Sequence, residues 1–263
     1  MWNDVLDLRD FYASGLGLTA RRLLRLKLRA LWPKLAGERV LGFGYAVPYL
    51  GLWQAEAERT IAAMPAEQGV MHWPSENPNA TALCEERHIP LPDRSIDRVL
   101  LVHAVESSEA LRAMLREIWR VMADGGRMIV IVPNRRSLWA RLERTPFAHG
   151  RPFSIGQITR LLRDSMFTPL RTEKALILPP FRSRLLLAWA PAWDKYGSRL
   201  LPFLAGAIII EASKQVYAAH AVPARDQRRR VLPVPSLARP ATPRGSPPRP
   251  PARRDSSRRE PSD

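Results

Sequence analysis

The residues best placed to do chemistry are Gly42-Phe43-Gly44-Tyr45-Ala46, which close the short apolar run that starts at Glu38. Glycines at such a point let backbone approach a ligand that a Cβ would hold off. A glycine turn after the first strand of a parallel sheet opens onto the crevice that takes nucleotide-like molecules. The turn lacks the GxGxxG spacing of the dinucleotide fingerprint, so alone it specifies no particular nucleotide. Further along, Asn134-Arg135-Arg136 offers two guanidinium groups to an anionic substrate, and His149-Gly150-Arg151-Pro152-Phe153-Ser154 reads as a loop able to close over a cleft. Trp119, Trp139, Trp189 and Trp193 could line a substrate pocket or fill a core. The chain has no serine triad, P-loop or metal-ligand cluster. Its one cysteine, Cys84, excludes an internal disulfide and a cysteine-based zinc site.

These residues need a scaffold, and the hydrophobic periodicity supplies one. Residues 5–12 and 18–31 carry apolar side chains at three- and four-residue spacing, which predicts two amphipathic helices, the second stopped by Pro33. Strands are expected at 38–44, 60–64, 80–84, 97–102 and 127–132. The run at 97–102 has no polar alternation, as befits a strand covered on both faces. Pro65, Pro74 and Pro78 make the segment between the second and third strands unfit for a full crossover helix. Ser107 and Ser108 can cap a helix at about 109–122 that Gly125-Gly126 ends, and Ser154 can cap another running to Met166. A short helix is expected near Leu138-Trp139, with late strands at 170–178 and 207–212. This order predicts an α/β fold: a Rossmann-like, mostly parallel sheet with helices on both faces.

Placed in this order, the pieces resemble the class I S-adenosylmethionine-dependent methyltransferases, most closely the methyltransferase type 11 group. The carrying residues are Val40-Leu41-Gly42-Phe43-Gly44, the stretch from Glu85 through Pro90-Leu91-Pro92-Asp93 to Val99, and Val102-His103-Ala104-Val105-Glu106. Leu115 to Met122, Gly125-Gly126-Arg127 and Val132-Pro133-Asn134 continue it. The resemblance implies S-adenosylmethionine as cofactor and an unidentified, small-molecule methyl acceptor. It also implies that Gly42, Phe43, Gly44 and Tyr45 lie along the cofactor, that Glu85 meets the adenine, and that His103 stands at the methyl-transfer cleft as the one catalytic candidate.

The chain also departs from that pattern. Gly42 stands where an acidic residue is common, and Ala46 and Pro48 stand where glycines are. The acidic residue that usually ends the second strand and takes the ribose hydroxyls is missing, with Glu67 a late substitute. A catalytically silent methyltransferase-like binding or scaffolding module is therefore the alternative, and a nicotinamide-dependent oxidoreductase a more distant one.

The 263 residues carry a net charge of +16 from 41 Lys and Arg against 25 Asp and Glu. Residues 223–263 hold 11 of the arginines, 4 of the acids and 10 of the 25 prolines. Such a segment is expected to be a disordered basic tail, able to make weak, salt-sensitive contact with polyanions. The expected organisation is a helical cap at 1–34, a methyltransferase-like domain at 35–222, and the tail at 223–263. No transmembrane segment is expected, since the apolar run at 200–210 is too short to span a bilayer. With no secretory signal at the start, the expected compartment is the cytoplasm.

Overall fold

The structure is a computed structural model that describes residues 2–76, 78–142, 145–177, 180 and 205–216. Two helices open the chain. Helix α1 (Val5–Ala13) starts where Asp4 Oδ1 accepts the Leu6 N–H at 2.7 Å, and α2 (Gly15–Leu31) starts where Ser14 Oγ accepts from Gly17 N at 3.1 Å. Both caps satisfy backbone donors that a first helical turn leaves without partners. Gly17 sits where a Cβ would strike Phe11 carbonyl oxygen, so a glycine is needed for the two helices to meet this closely.

The remaining elements are β1 (Arg39–Gly44), α3 (Val47–Leu50), β2 (Arg59–Pro65), β3 (Thr81–Cys84), β4 (Ile96–Val102), α4 (Leu111–Val121) and β5 (Met122–Pro133). A 3-10 turn (Pro146–Ala148), α5 (Ile155–Asp164), β6 (Phe167–Ala175) and β7 (Ala207–Lys214) complete them. The strands form one seven-stranded sheet in the order β3-β2-β1-β4-β5-β7-β6. The first five run parallel, and β7 is antiparallel to both β5 and β6.

Side chains alternate across the pleat and build two apolar layers. Val40, Leu100, Val102, Ile129, Ile131 and Ile209 join Leu24, Leu28 and Trp32 of the N-terminal helical region. On the opposite face Leu41, Phe43, Val99, Leu101, Val130 and Ile208 join Leu115 and Ile118 of α4 and Ile158 and Leu162 of α5. Helices thus cover both faces, as the unbroken apolar strands required. α1, α2 and the sheet lie in one compact unit, Met1–Ala218.

Three local expectations come out differently. Gly125-Gly126 do not stand between α4 and a strand beginning at Arg127; β5 already begins at Met122. The register jumps from Ile96↔Met122 to Arg98↔Arg127, and Gly125, at φ 78°, absorbs the extra residues in an irregular stretch. The residues around Leu138-Trp139 make turns rather than a helix, because Ser137 Oγ takes the Ala140 N–H at 3.1 Å and Trp139 is buried against Phe147 and Gly206. The late strand spans Phe167–Ala175 instead of 170–178, since Phe167 pairs with Lys214 at the far end of β7. Between β2 and β3 the proline-containing segment holds no helix; Asn79 Oδ1 ties it down by accepting from Trp73 N, Thr81 N and Thr81 Oγ1. Trp189, Trp193 and the tail lie outside the described residues. Among the described residues no helix is long and apolar enough to cross a membrane, and no group of side chains could hold a metal ion.

Candidate functional site

Parallel strands bring the ends of β1, β2 and β4 to one edge of the sheet, and the fold collects most of the expected residues there. The two glycines serve different purposes. A Cβ on Gly42 would lie 2.6 Å from Ala46 Cβ and 2.7 Å from Leu50, so this glycine lets α3 pack against the strand. Gly44 turns the chain at φ 79°, where a Cβ would strike the Val102 carbonyl oxygen. Phe43 points into the α4–α5 layer. Tyr45 lies on the other side, stacked on Tyr12 of α1 with ring centroids 5.6 Å apart and planes 17° from parallel. Burial pushes its hydroxyl up to about 12.

His103 follows β4 with φ 51° and is 1% exposed. It is the middle member of a buried chain of hydrogen bonds. Tyr49 O–H donates to Tyr12 Oη at 3.1 Å, which leaves the Tyr12 O–H to donate to His103 Nε2 at 2.9 Å. Nδ1–H of the imidazole then donates to Glu106 Oε1 at 3.1 Å. Burial raises the hydroxyls of Tyr12 and Tyr49 well above the ordinary phenol value, so both remain protonated donors at neutral pH. Phe147 packs on the imidazole at 4.9 Å.

Several buried polar atoms have no hydrogen-bond partner among the described residues. Gln68, 1% exposed just past β2, has neither Nε2 nor Oε1 hydrogen-bonded. Its backbone carbonyl accepts from Val5 N at 2.8 Å, which draws the start of α1 over the end of β2. Trp2 Nε1, Asn3 Nδ2 and Glu106 Oε2 are also buried and unpaired. Donors and acceptors both occur in this set, the two kinds of group that the hydroxyls, amino groups and ring nitrogens of a nucleoside-like ligand would bond.

Glu85 is exposed at the rim, opposite His88 in an isolated bridge, whereas its neighbour Glu86 turns inward. Glu86 accepts from Ser108 Oγ and Ala110 N, both at 2.6 Å, and so ties the end of β3 to the approach of α4. Glu67 is exposed, so the inward position after β2 belongs to Gln68. Arg135 and Arg136 face solvent, and Asn134 is buried, donating to Ala205 carbonyl oxygen at 2.7 Å. The 149–154 segment passes beside the β4 end: Arg151 N–H donates to Glu106 carbonyl oxygen at 2.8 Å, and Gly150 lies where a Cβ would strike that same carbonyl. Trp139 is core and Trp119 partly buried, its Nε1 donating to Gln215 carbonyl oxygen at 3.3 Å. Sequence reasoning missed Tyr12, Tyr49 and Gln68. Glu106, three residues after His103, was the one missed partner with a local signal.

Residues 41–130 match the family model for a methyltransferase domain. No curated protein sequence matches the chain. Among solved structures, a methyltransferase of Haloferax volcanii, in complex with the Trm112 methyltransferase activator, superposes with a TM-score of 0.59 at 16% identity. It covers 82% of this chain and 100% of that one. A SAM-dependent methyltransferase of Thermotoga maritima gives 0.55 at 18%, over 80% and 96% of the two chains. An S-adenosylmethionine-dependent methyltransferase of Mesorhizobium loti gives 0.53 at 14%, over 72% and 96%. At such identities the structures speak for the fold alone, and the family match speaks for residues 41–130. Residues 41–130 thus match a methyltransferase domain, within a fold shared with solved S-adenosylmethionine-dependent methyltransferases, whose cofactor is S-adenosylmethionine.

Proposed function

We propose that this protein is an S-adenosylmethionine-dependent methyltransferase whose cofactor is held at the carboxyl ends of β1, β2 and β4, beneath the segment that leads into α1. The observation that carries this reading is the set of unpaired buried atoms on Gln68, Glu106, Trp2 and Asn3. A buried polar group left without a partner costs about 1–3 kcal/mol, so a ligand that satisfies several of them binds with that cost recovered. In this arrangement Phe43, Gly44 and Tyr45 form the turn beside the cofactor, with Gly42 supporting it through α3. Gln68 serves the ribose hydroxyls in place of an acidic residue, and Glu85 stands at the adenine rim.

When bound, S-adenosylmethionine supplies a methyl group already activated on a sulfonium sulfur. The chain's own residues then need only align an acceptor and remove its proton. His103 can take a proton at Nε2 through the Tyr12 hydroxyl, and Glu106 offsets the charge of the resulting imidazolium. Calorimetric titration with S-adenosylhomocysteine tests the reading. Binding is expected in the full chain, weakened about tenfold or more in Gln68→Ala. Absence of heat at millimolar ligand, with the protein still folded, would sink it.

One observation favours the silent binding module as the second reading. Tyr12 and Phe147 pack against His103, Tyr45 and Tyr49 pack on Tyr12, and the imidazole is left 1% exposed by the chain itself. Under that reading S-adenosylhomocysteine binds, but no acceptor from a broad panel is methylated.

A further inference from the structure

A groove of about 400 Å³ lies between α1, α2 and the turn from β1 to α3, walled by Arg9, Tyr12, Arg21, Arg25, Tyr45 and Trp73. Its positive charge is not balanced from within. Arg9 is paired with Asp10 at 3.0 Å, and Arg25 gives one N–H to the Pro48 carbonyl oxygen at 2.9 Å. Among the described residues no carboxylate pairs with Arg21 or Arg25. Burial, and after it the charge of Arg21, makes Arg25 a weaker base than an ordinary guanidinium, so the two arginines stand close and partly desolvated. Like charges so placed repel unless an anion lies between them. Of the aromatic residues lining the groove, Tyr45 is covered by its stacking on Tyr12 whereas Trp73 is only partly buried and offers a flat apolar surface, and a guanidinium pair is a fork suited to carboxylate or phosphate oxygens.

We propose that this groove receives the methyl acceptor, and that the acceptor is a flat molecule bearing a carboxylate or phosphate held between Arg21 and Arg25, its ring against Trp73. Tyr12 connects the groove to the chemistry, because one side chain both walls it and hydrogen-bonds to His103. Calling the occupant an acceptor rests on the methyltransferase reading; the anion site stands on the groove alone.

The experiment titrates the full chain with 2-naphthoate and with its uncharged counterpart 2-naphthamide, at low and physiological ionic strength, with S-adenosylhomocysteine titrated in parallel. Naphthoate should bind at least tenfold tighter than naphthamide. Arg21→Glu should remove that advantage, Arg21→Lys should keep most of it, and neither should change S-adenosylhomocysteine binding. Among the described residues Arg21 has no carboxylate partner to lose, so melting temperatures should match. The tail arginines are untouched in these variants, so naphthoate binding that survives Arg21→Glu would overturn the inference. Equal affinity for naphthoate and naphthamide would do the same, as would binding to phosphatidylglycerol vesicles that Arg21→Glu abolishes while naphthoate does not bind. In that last case the exposed Leu18 and Leu26 beside Arg22 would mark a membrane-facing surface instead. If naphthoate behaves as expected but S-adenosylhomocysteine gives no heat, the anion site stands and the methyltransferase reading falls.

Discussion

The two ends of the sheet are built on opposite terms. At the amino end, charges meet in pairs: Arg39 Nε and Nη2 reach the two oxygens of Asp97 at 2.9 and 3.0 Å, and Arg98 reaches Glu38 at 2.8 Å. Lys214, itself buried, donates to Met122 carbonyl oxygen at 2.7 Å and lies 3.5 Å from Asp124. A groove of about 530 Å³ lies there too, but the charged side chains lining it include these paired groups. Thr60 Oγ1 and Arg98 Nε are the exceptions that find no partner among the described residues. At the carboxyl end, by contrast, four residues hold buried polar atoms with nothing to bond, and two arginines stand side by side without carboxylates. Paired charges hold strands together, whereas unpaired buried groups cost stability and are kept where a ligand completes them. The paired charges at the amino end hold strands together, and the unpaired groups at the carboxyl end are the reason the proposed site lies there.

The largest effect that would sharpen this contrast comes from two left-handed glycines. Gly44→Ala, at φ 79° and with its Cβ against the Val102 carbonyl, is expected to cost at least about 2 kcal/mol and to lower the melting temperature by many degrees. Gly37→Ala, at φ 73° near the amino end with nothing within 4 Å, should cost only about 1 kcal/mol, the conformational penalty alone. Equal losses in the two melts would mean that the site end is no more tightly built than the other.

A smaller, crossed effect compares Gln68→Ala with Asp97→Asn. Removing an unpaired amide should leave the melting temperature within a degree or two while weakening S-adenosylhomocysteine. Removing a paired carboxylate should lower stability and leave ligand binding alone. Hydrogen bonding to the Arg39 side chain, above all, holds the Asp97 carboxyl below its ordinary value. A depressed folded-state value means that this stabilisation is complete above the unfolded value, near about 4, and is lost as pH falls through the folded one. Unfolding curves below about pH 4 should therefore fall less steeply in Asp97→Asn than in the parent. A parallel fall in both would show that Asp97 does not contribute to acid sensitivity.

The smallest effect concerns Cys84 at the end of β3. Burial pushes its thiol up to about 11 and leaves it 7% exposed, so a disulfide reagent at pH 8 should label it only as fast as the chain opens. Prompt labelling of the folded protein would show that the cover over the strand ends is looser than the packing around Trp2 implies.

The sequence by itself determined the layers and their order. The unbroken apolar run of β4 announces a strand covered on both faces and Ser154 announces a helix start within a residue, whereas α2 starts at Gly15 rather than at 18 and α4 starts after Ala110 with no side-chain cap from Ser107 or Ser108. The prolines between β2 and β3 announce a crossover without a helix. All of these are local signals, carried by neighbouring residues and by fixed periods along the chain. The same locality made Gly42, Gly44 and His103 legible, since each sits next to the strand end that positions it. What tertiary structure alone decided is which side chains meet there. Tyr12 and His103 are 91 positions apart, and no spacing rule links a helix near the start of the chain to the end of β4. The inward turn of Gln68 rather than Glu67 depends on α1 closing over β2, and Arg21 and Arg25, one turn apart on α2, become groove walls only because α2 packs beside the β1–α3 turn. Hydrophobic patterning fixes which face of an element is buried, but the partner across it is set by the packing of the whole sheet.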